Sequence, residues 1–182
     1  MSLSLPHGNC YWVRPGRILA GEYPGAADPL RSLERLRAHL QCGIRYFVDL
    51  TEEGELNPYH PDLDSESSLL GISGVEHHRF PISDGGVPSS KELMTSILDT
   101  IDFGQRTCPI VYVHCWGGIG RTGTVVGCHF VRTGHSGHSA LQELATRWSG
   151  VEKFYRRPES PETQQQRDYV LSWREPPNSI SL

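Results

Sequence analysis

The sequence predicts an α/β fold with a central, mainly parallel sheet flanked by helices, and three observations carry that expectation. Short β-rich runs alternate with stretches of helical periodicity along the chain. The run Ile110-Val111-Tyr112-Val113 is apolar throughout, as in a central strand covered on both faces. A glycine-rich segment follows it at once, at the strand-to-helix handover where open α/β sheets bind ligands. A chain of 182 residues that is 37% hydrophobic suits a single domain over 1–182, with a core of about 10–173, and needs neither a disulfide nor a structural metal.

The elements follow in order. Tyr11, Val13, Ile18 and Leu19, between turn signals at Pro15-Gly16 and Pro24-Gly25, predict an edge hairpin. Asp28 is a helix cap with Pro29 at the first helical position, and Leu30, Leu33, Leu36 and Leu40 recur at helical spacing up to Cys42-Gly43. Ile44 to Leu50 reads as a strand, and the polar stretch from Thr51 to Ser68 as a long loop. Val75 to Ile82 reads as the next strand, followed by a mobile connection through Ser83-Asp84-Gly85-Gly86. Leu93, Ile97, Leu98 and Ile101 mark a helix starting at Ser89 or Ser90. Beyond the central strand and the segment Cys115–Gly123, helices are expected over 124–131, 139–148 and 161–173, with a frayed tail over 174–182.

Composition excludes several classes. A net charge of -4 and a pI near 6.1 supply no basic field for nucleic acid or anionic membrane. No apolar run approaches a membrane span, and Met1 to Asn9 lacks the blocks of a secretory leader, so a cytoplasmic location is expected. Cysteines at 10, 42, 108, 115 and 128 form an odd set without repeated spacing, which fits reduced thiols. Cys42, Cys108 and Cys128 read as small core residues, one of which would protect Cys115 as a disulfide if it lay nearby. His77-His78 are strand neighbours facing opposite ways, and the other histidines lack ligand spacing, so no metal or other cofactor is expected.

The chemistry is concentrated in His114-Cys115-Trp116-Gly117-Gly118-Ile119-Gly120-Arg121-Thr122-Gly123. Glycines that let successive N–H groups turn inward form an anion-binding cup over Trp116–Arg121, and the helix beginning near Arg121 adds its positive end. Such a cup stabilises a thiolate, which makes Cys115 a nucleophile at neutral pH. Arg121 offers a planar fork to two phosphoryl oxygens, and Thr122 can donate its hydroxyl to the sulfur as it departs. A bare Cys-x5-Arg pair is expected by chance about 0.4 times in this composition, but the full motif only on the order of one in 100,000.

These residues resemble the protein tyrosine phosphatase superfamily, whose signature His-Cys-x2-Gly-x2-Arg-Ser/Thr is met by His114, Cys115, Gly118, Arg121 and Thr122. The compact chain resembles the dual-specificity branch in particular. The resemblance implies a metal-free two-step hydrolysis of a phosphate monoester through a cysteinyl-phosphate. It also implies an acid on a loop before the cysteine, for which Asp84, in Phe80 to Pro88, is the match. Of the family's water-positioning glutamines Gln166 is the better match, while Glu162 stands where another is expected and is left out of the catalytic set. His114 is expected to support the loop rather than act as a base, and Trp116 either walls the pocket or packs beneath it.

The expected partner is a phosphorylated protein or small phosphoester acted on by a monomer. Phosphotyrosine is preferred because 116–120 holds no lysine for extra phosphates. Phosphoserine, phosphothreonine, inositol phosphates and nucleotides remain open. A non-catalytic phosphotyrosine-binding module and a rhodanese-like or arsenate-reducing protein are the alternatives outside this class.

Overall fold

The structure, a computed structural model, describes residues 4–175. Strands β1 (Cys10–Arg14) and β2 (Ile18–Gly21) form the predicted hairpin, and β3 (Ile44–Asp49), β4 (Glu76–Arg79) and β5 (Ile110–His114) complete a five-stranded sheet. The strand order is β1-β2-β5-β3-β4, with only the β1/β2 pair antiparallel. The helices are α1 (Pro29–Gln41), α2 (His60–Leu69), α3 (Lys91–Thr107), α4 (Gly120–Arg132), α5 (Gly137–Trp148) and α6 (Gln164–Ser172).

Alternation along the strands sorts the core into two layers. Ile110 and Tyr112 of β5 join Leu19, Phe47, Leu36, Leu40 and Leu63 on the side of α1 and α2. Val111 and Val113 face the opposite way, onto Met94, Ile101, Val125 and Leu144 of α3, α4 and α5. β5 is buried at every residue, as its unbroken apolar run predicts.

Helix starts are set by caps. Asp28 accepts from Arg31 N at 2.8 Å, and Ser90 Oγ accepts from Leu93 N at 3.1 Å. The α1 stripe begins a turn later than expected, since Leu30 is 73% exposed. The stretch 51–68 is not all loop, because α2 occupies its second half. Apolar periodicity there is weak; Leu63 is its buried anchor and Arg37 pairs with Glu66 at 3.0 Å, a contact through space that no local pattern announces. α4 starts at Gly120 rather than Thr124, because its early glycines serve helix packing instead of a loop. A Cβ on Gly123 would lie 2.3 Å from Ser160 Oγ, and one on Gly127 2.8 Å from Val170. β4 is shorter than 75–82, α5 starts two residues before Ser139, and α6 is shorter than 161–173.

Cys108 and Cys128 are buried, whereas Cys42 is only half-buried at the end of α1; all five thiols are free. The expected fraying does not include Glu175, which accepts from Arg132 Nε at 3.0 Å; residues 176–182 lie outside the described residues. Among the described residues no helix is long and apolar enough to cross a membrane.

Gly104, in α3, tests the packing between that helix and the sheet. A Cβ there would lie 2.7 Å from Tyr46 Cδ1 and 2.8 Å from Val111 Cγ2. Helix propensity alone favours alanine by about 1 kcal/mol, but overpacking costs roughly 1–3 kcal/mol. Gly104→Ala is therefore expected to destabilise the protein in urea denaturation, by about 1 kcal/mol net.

Candidate active site

The register of the sheet builds the platform for the site. Gly21 of β2 and Asp49 of β3 both pair with His114 of β5, so three parallel strands end level. The turn Cys115–Ile119 rises from the middle of that edge and leads directly into α4.

Contacts from outside fix the turn. Gly118 has φ +71, and a Cβ on it would lie 2.4 Å from the Gly21 carbonyl carbon, so only glycine fits where the turn presses on β2. The carbonyls of Trp116, Gly117 and Ile119 accept from Tyr23 N at 2.9 Å, Lys153 Nζ at 3.1 Å and Ser160 Oγ at 2.8 Å. Carbonyls tied outward in this way leave the N–H groups of the turn to face inward, the arrangement of an anion nest.

A cleft of about 750 Å³ opens above the turn. Cys115, Trp116, Gly117, Ile119, Gly120, Arg121 and Asp84, all expected at the site, line it together. Gly118 does not, because its place is against β2. Cys115 lies at the base, 3% exposed, while Trp116 is 60% exposed, so its ring stands at the mouth and is not packed beneath the turn.

Arg121 is 1% exposed and almost fully engaged. Its Nη1 donates to Glu55 Oε2 at 2.7 Å and to the Ile82 carbonyl at 3.0 Å, and its Nη2 to Glu55 Oε1 at 2.6 Å. Asp84 Oδ1 lies 3.0 Å from Nη2. Burial acts against the guanidinium's charge, but the hydrogen bonds and charge of Glu55 outweigh it and raise the Arg121 pKa above its ordinary value. The same hydrogen bonds hold the Glu55 carboxyl below the usual range. Arg121 Nε and the Thr122 hydroxyl remain buried without partners. Thr122 thus makes no hydrogen bond to Cys115 sulfur in this state, and its donor is free.

The Asp84 turn, expected to be mobile, is fastened at several points. Gly86 N donates to Ser83 O at 2.9 Å, Ser83 Oγ to Glu52 at 3.1 Å, and Gln166 Nε2 to Gly86 O at 2.9 Å. Gln166 is fully buried at the third position of α6, where its Oε1 accepts from Thr163 N at 3.1 Å in a capping box. Its amide packs so close to Gly120, the first residue of α4, that a Cβ there would lie 2.8 Å from Oε1, so no side chain fits at that position. Glu162 lies at the rim of the cleft, 3.4 Å from Arg157.

His114 is fully buried. Its Nδ1 donates to the Cys115 carbonyl at 3.2 Å and its Nε2 accepts from Tyr59 OH at 2.8 Å. Burial pushes its pKa down to about 4, so the ring is neutral at physiological pH and acts as a brace. Behind it, buried Asp49 accepts from Thr51 Oγ1 at 2.6 Å and from Arg79 at 3.0 Å. Burial would raise the Asp49 carboxyl; the field of His114 and the hydrogen bonds from His77 and Thr51 bring it below the usual range.

Sequence reasoning missed Glu55, Tyr59, Asp49 and Lys153. Glu55 is one acid in an acid-rich stretch, and only the through-space approach of Arg121 distinguishes it.

Known proteins resemble this chain in sequence and in fold. Residues 7–170 match the family described as Swiss Army Knife protein, DSP-PTPase phosphatase domain (PTP-SAK). Dual specificity protein phosphatase CDC14B of Mus musculus is 29% identical over 141 residues, 76% of this chain and 27% of that protein. Cyclin-dependent kinase inhibitor 3 of Homo sapiens is 28% identical over 130 residues, 64% of this chain and 58% of that protein. The chain therefore spans less than two thirds of either relative's length. The crystal structure of Tk-PTP in its active form superposes with a TM-score of 0.69 at 26% identity, covering 89% of this chain and 93% of that one.

The state of His114 predicts a pH dependence of stability. Its folded pKa is depressed from 6.5 to about 4, so on acidification the unfolded chain takes up the proton first. The contribution is complete above pH 6.5 and is lost as pH falls toward 4, at up to about 1.4 kcal/mol per pH unit. Thermal midpoints measured across this window should fall more steeply for the wild type than for His114→Gln.

Proposed function

We propose that this chain, which belongs to the DSP-PTPase phosphatase family, hydrolyses phosphate monoesters through a cysteinyl-phosphate on Cys115, with phosphotyrosine in protein as the preferred substrate. The observation that carries the reading is the convergence of a buried thiol, a buried guanidinium and an exposed carboxylate on one cleft, with Arg121 Nε and the Thr122 hydroxyl left unpaired. Unpaired buried donors are costly, and a phosphoryl group is the ligand that would satisfy Arg121 Nε.

In the first step the Cys115 thiolate attacks phosphorus as the P–O bond to the substrate breaks. The leaving oxygen takes the proton of Asp84, which is 66% exposed and sits within reach of the mouth. The equatorial oxygens rest on the N–H groups of the turn and on Arg121. In the second step water attacks phosphorus and gives a proton to Asp84. The P–S bond breaks, and Thr122 turns its free hydroxyl to the departing thiolate. No atom of this scheme needs a metal.

The exposed Trp116 ring at the mouth supports an aromatic leaving group. One observation favours a second reading, an inositol phosphate. The turn has no lysine, but Lys153, Arg156 and Arg157 line the same cleft from a distant part of the chain. The two readings separate by substitution. Trp116→Ala should raise KM for phosphotyrosine peptides by about 10-fold and leave inositol phosphates little changed, whereas Arg156→Ala should do the reverse.

The enzymatic reading is tested by release of p-nitrophenol from p-nitrophenyl phosphate without divalent metal. Cys115→Ser should abolish turnover, and Asp84→Asn should lower kcat about 100-fold. A folded wild type that binds phosphotyrosine but never turns over would move the protein to the non-catalytic binding class.

A further inference from the structure

Behind the wall of the cleft, His7, Cys10 and His39 bring one nitrogen, one sulfur and one nitrogen within 4.8 Å of one another. Three chain segments meet there: the residues before β1, the first residue of β1, and the last turn of α1. Cys10 is 2% exposed and His39 is fully buried. The His7 ring is edge-on to the thiol, with Nε2 at 3.2 Å and Nδ1 at 3.6 Å from Cys10 sulfur.

His39 supplies the independent observation. Its Nδ1 donates to the Arg35 carbonyl at 2.7 Å, which places the ring proton on that nitrogen and the lone pair on Nε2. That Nε2 is buried and has no hydrogen-bond partner. An imidazole whose far nitrogen is tied to a backbone carbonyl, with the near nitrogen unprotonated and unpartnered, has the orientation of a metal ligand. A buried acceptor left open in a well-packed core calls for an explanation, and neither the sheet nor the cleft supplies one.

We propose that His7, Cys10 and His39 form a zinc(II) site that pins the segment before β1 to α1. Zinc bonds of about 2.3 Å to sulfur and about 2.0–2.1 Å to nitrogen in a tetrahedron place sulfur and nitrogen roughly 3.5 Å apart, close to the observed His7–Cys10 separation. His39 needs only a small further approach. Mixed thiolate and imidazole donors select zinc over magnesium or calcium, which take oxygen. Three protein ligands leave a fourth position for a small ligand.

Binding releases the Cys10 thiol proton to solvent. Coordination through His7 Nε2 moves its ring proton to Nδ1. There the new N–H faces Glu22 Oε1, at 3.9 Å, as its acceptor, and the Asn9 N–H, which in this structure donates to Nδ1 at 3.2 Å, has to release it. Among the described residues Glu22 is the carboxylate facing the site and would offset the charge of the ion, while Arg35 and Lys153, both paired to Glu22, oppose it. Tyr112 OH, 3.5 Å from the Cys10 sulfur, completes the surroundings. Because Glu22 also lines the cleft, the ion would stiffen one wall of the site without touching substrate.

The experiment uses the untagged full chain carrying Cys115→Ser, which removes the cleft thiol as a competing ligand, with half-buried Cys42→Ser as a control that should leave zinc affinity unchanged. Cobalt(II) titration should give a sulfur-to-cobalt charge-transfer band saturating at about one equivalent per chain, and zinc should displace it. Cys10→Ala and His7→Gln, the latter at a side chain 20% exposed, should each weaken zinc at least about 100-fold in chelator competition, and zinc should raise the thermal midpoint only where it binds. His7→Gln keeps the test valid if Cys10→Ala does not fold. Absence of the band in the Cys115→Ser chain, or zinc affinity unchanged by His7→Gln, would overturn the proposal.

Discussion

A guanidinium with 1% of its surface in contact with solvent is the constraint around which this site is organised. Burying an unpaired cation costs several kcal/mol, so Arg121 can occupy its place only if its donors are met by groups arriving from elsewhere. Glu55 takes both terminal nitrogens, the Ile82 carbonyl takes a third donor, and Asp84 closes on Nη2. Three chain segments therefore converge because one charge requires them. The fork is held by these contacts, while the buried Nε has no hydrogen-bond partner. Arg121 is thus held against two carboxylates, one of which, Asp84, is the group that the proposed reaction uses as acid.

The cysteine turn depends on the same kind of external bracing. Gly118 presses on the end of β2 at a spacing that no side chain would tolerate, and three carbonyls of the turn are drawn outward by Tyr23, Lys153 and Ser160. From behind, neutral His114 bridges Tyr59 and the Cys115 carbonyl. Gln166 ties the start of α6 to the turn carrying Asp84 and packs closely over Gly120 at the start of α4. This explains why a residue expected to handle water is fully enclosed: its amide is used in capping α6 and in holding Gly86.

Much of this was legible in the sequence where the signal is local. The unbroken apolar run of β5, the glycine-rich turn after it, the Asp28 cap and the Asp84-Gly85-Gly86 turn are short-range patterns, and each corresponds to an observed element. What escaped is non-local. Glu55 gains its role only when Arg121 meets it across 66 residues, and α2 is stabilised by Leu63 and a cross-helix ion pair instead of a repeating apolar face. The glycines of early α4 look like loop residues in one dimension because their function is close packing against residues 160–170. The lysine absent from the turn arrives from residue 153, which weakens any argument on substrate charge drawn from 116–120 alone.

The central claim is that Cys115 carries the phosphoryl group between substrate and water. The most direct measurement is a rapid acid quench of the wild type during turnover of p-nitrophenyl phosphate, followed by mass mapping of acid-stable phosphopeptides. The account predicts a single phosphate on the peptide containing Cys115, appearing before steady state and absent when substrate is omitted. Turnover with no phosphate on Cys115, or with phosphate on another residue, would contradict it.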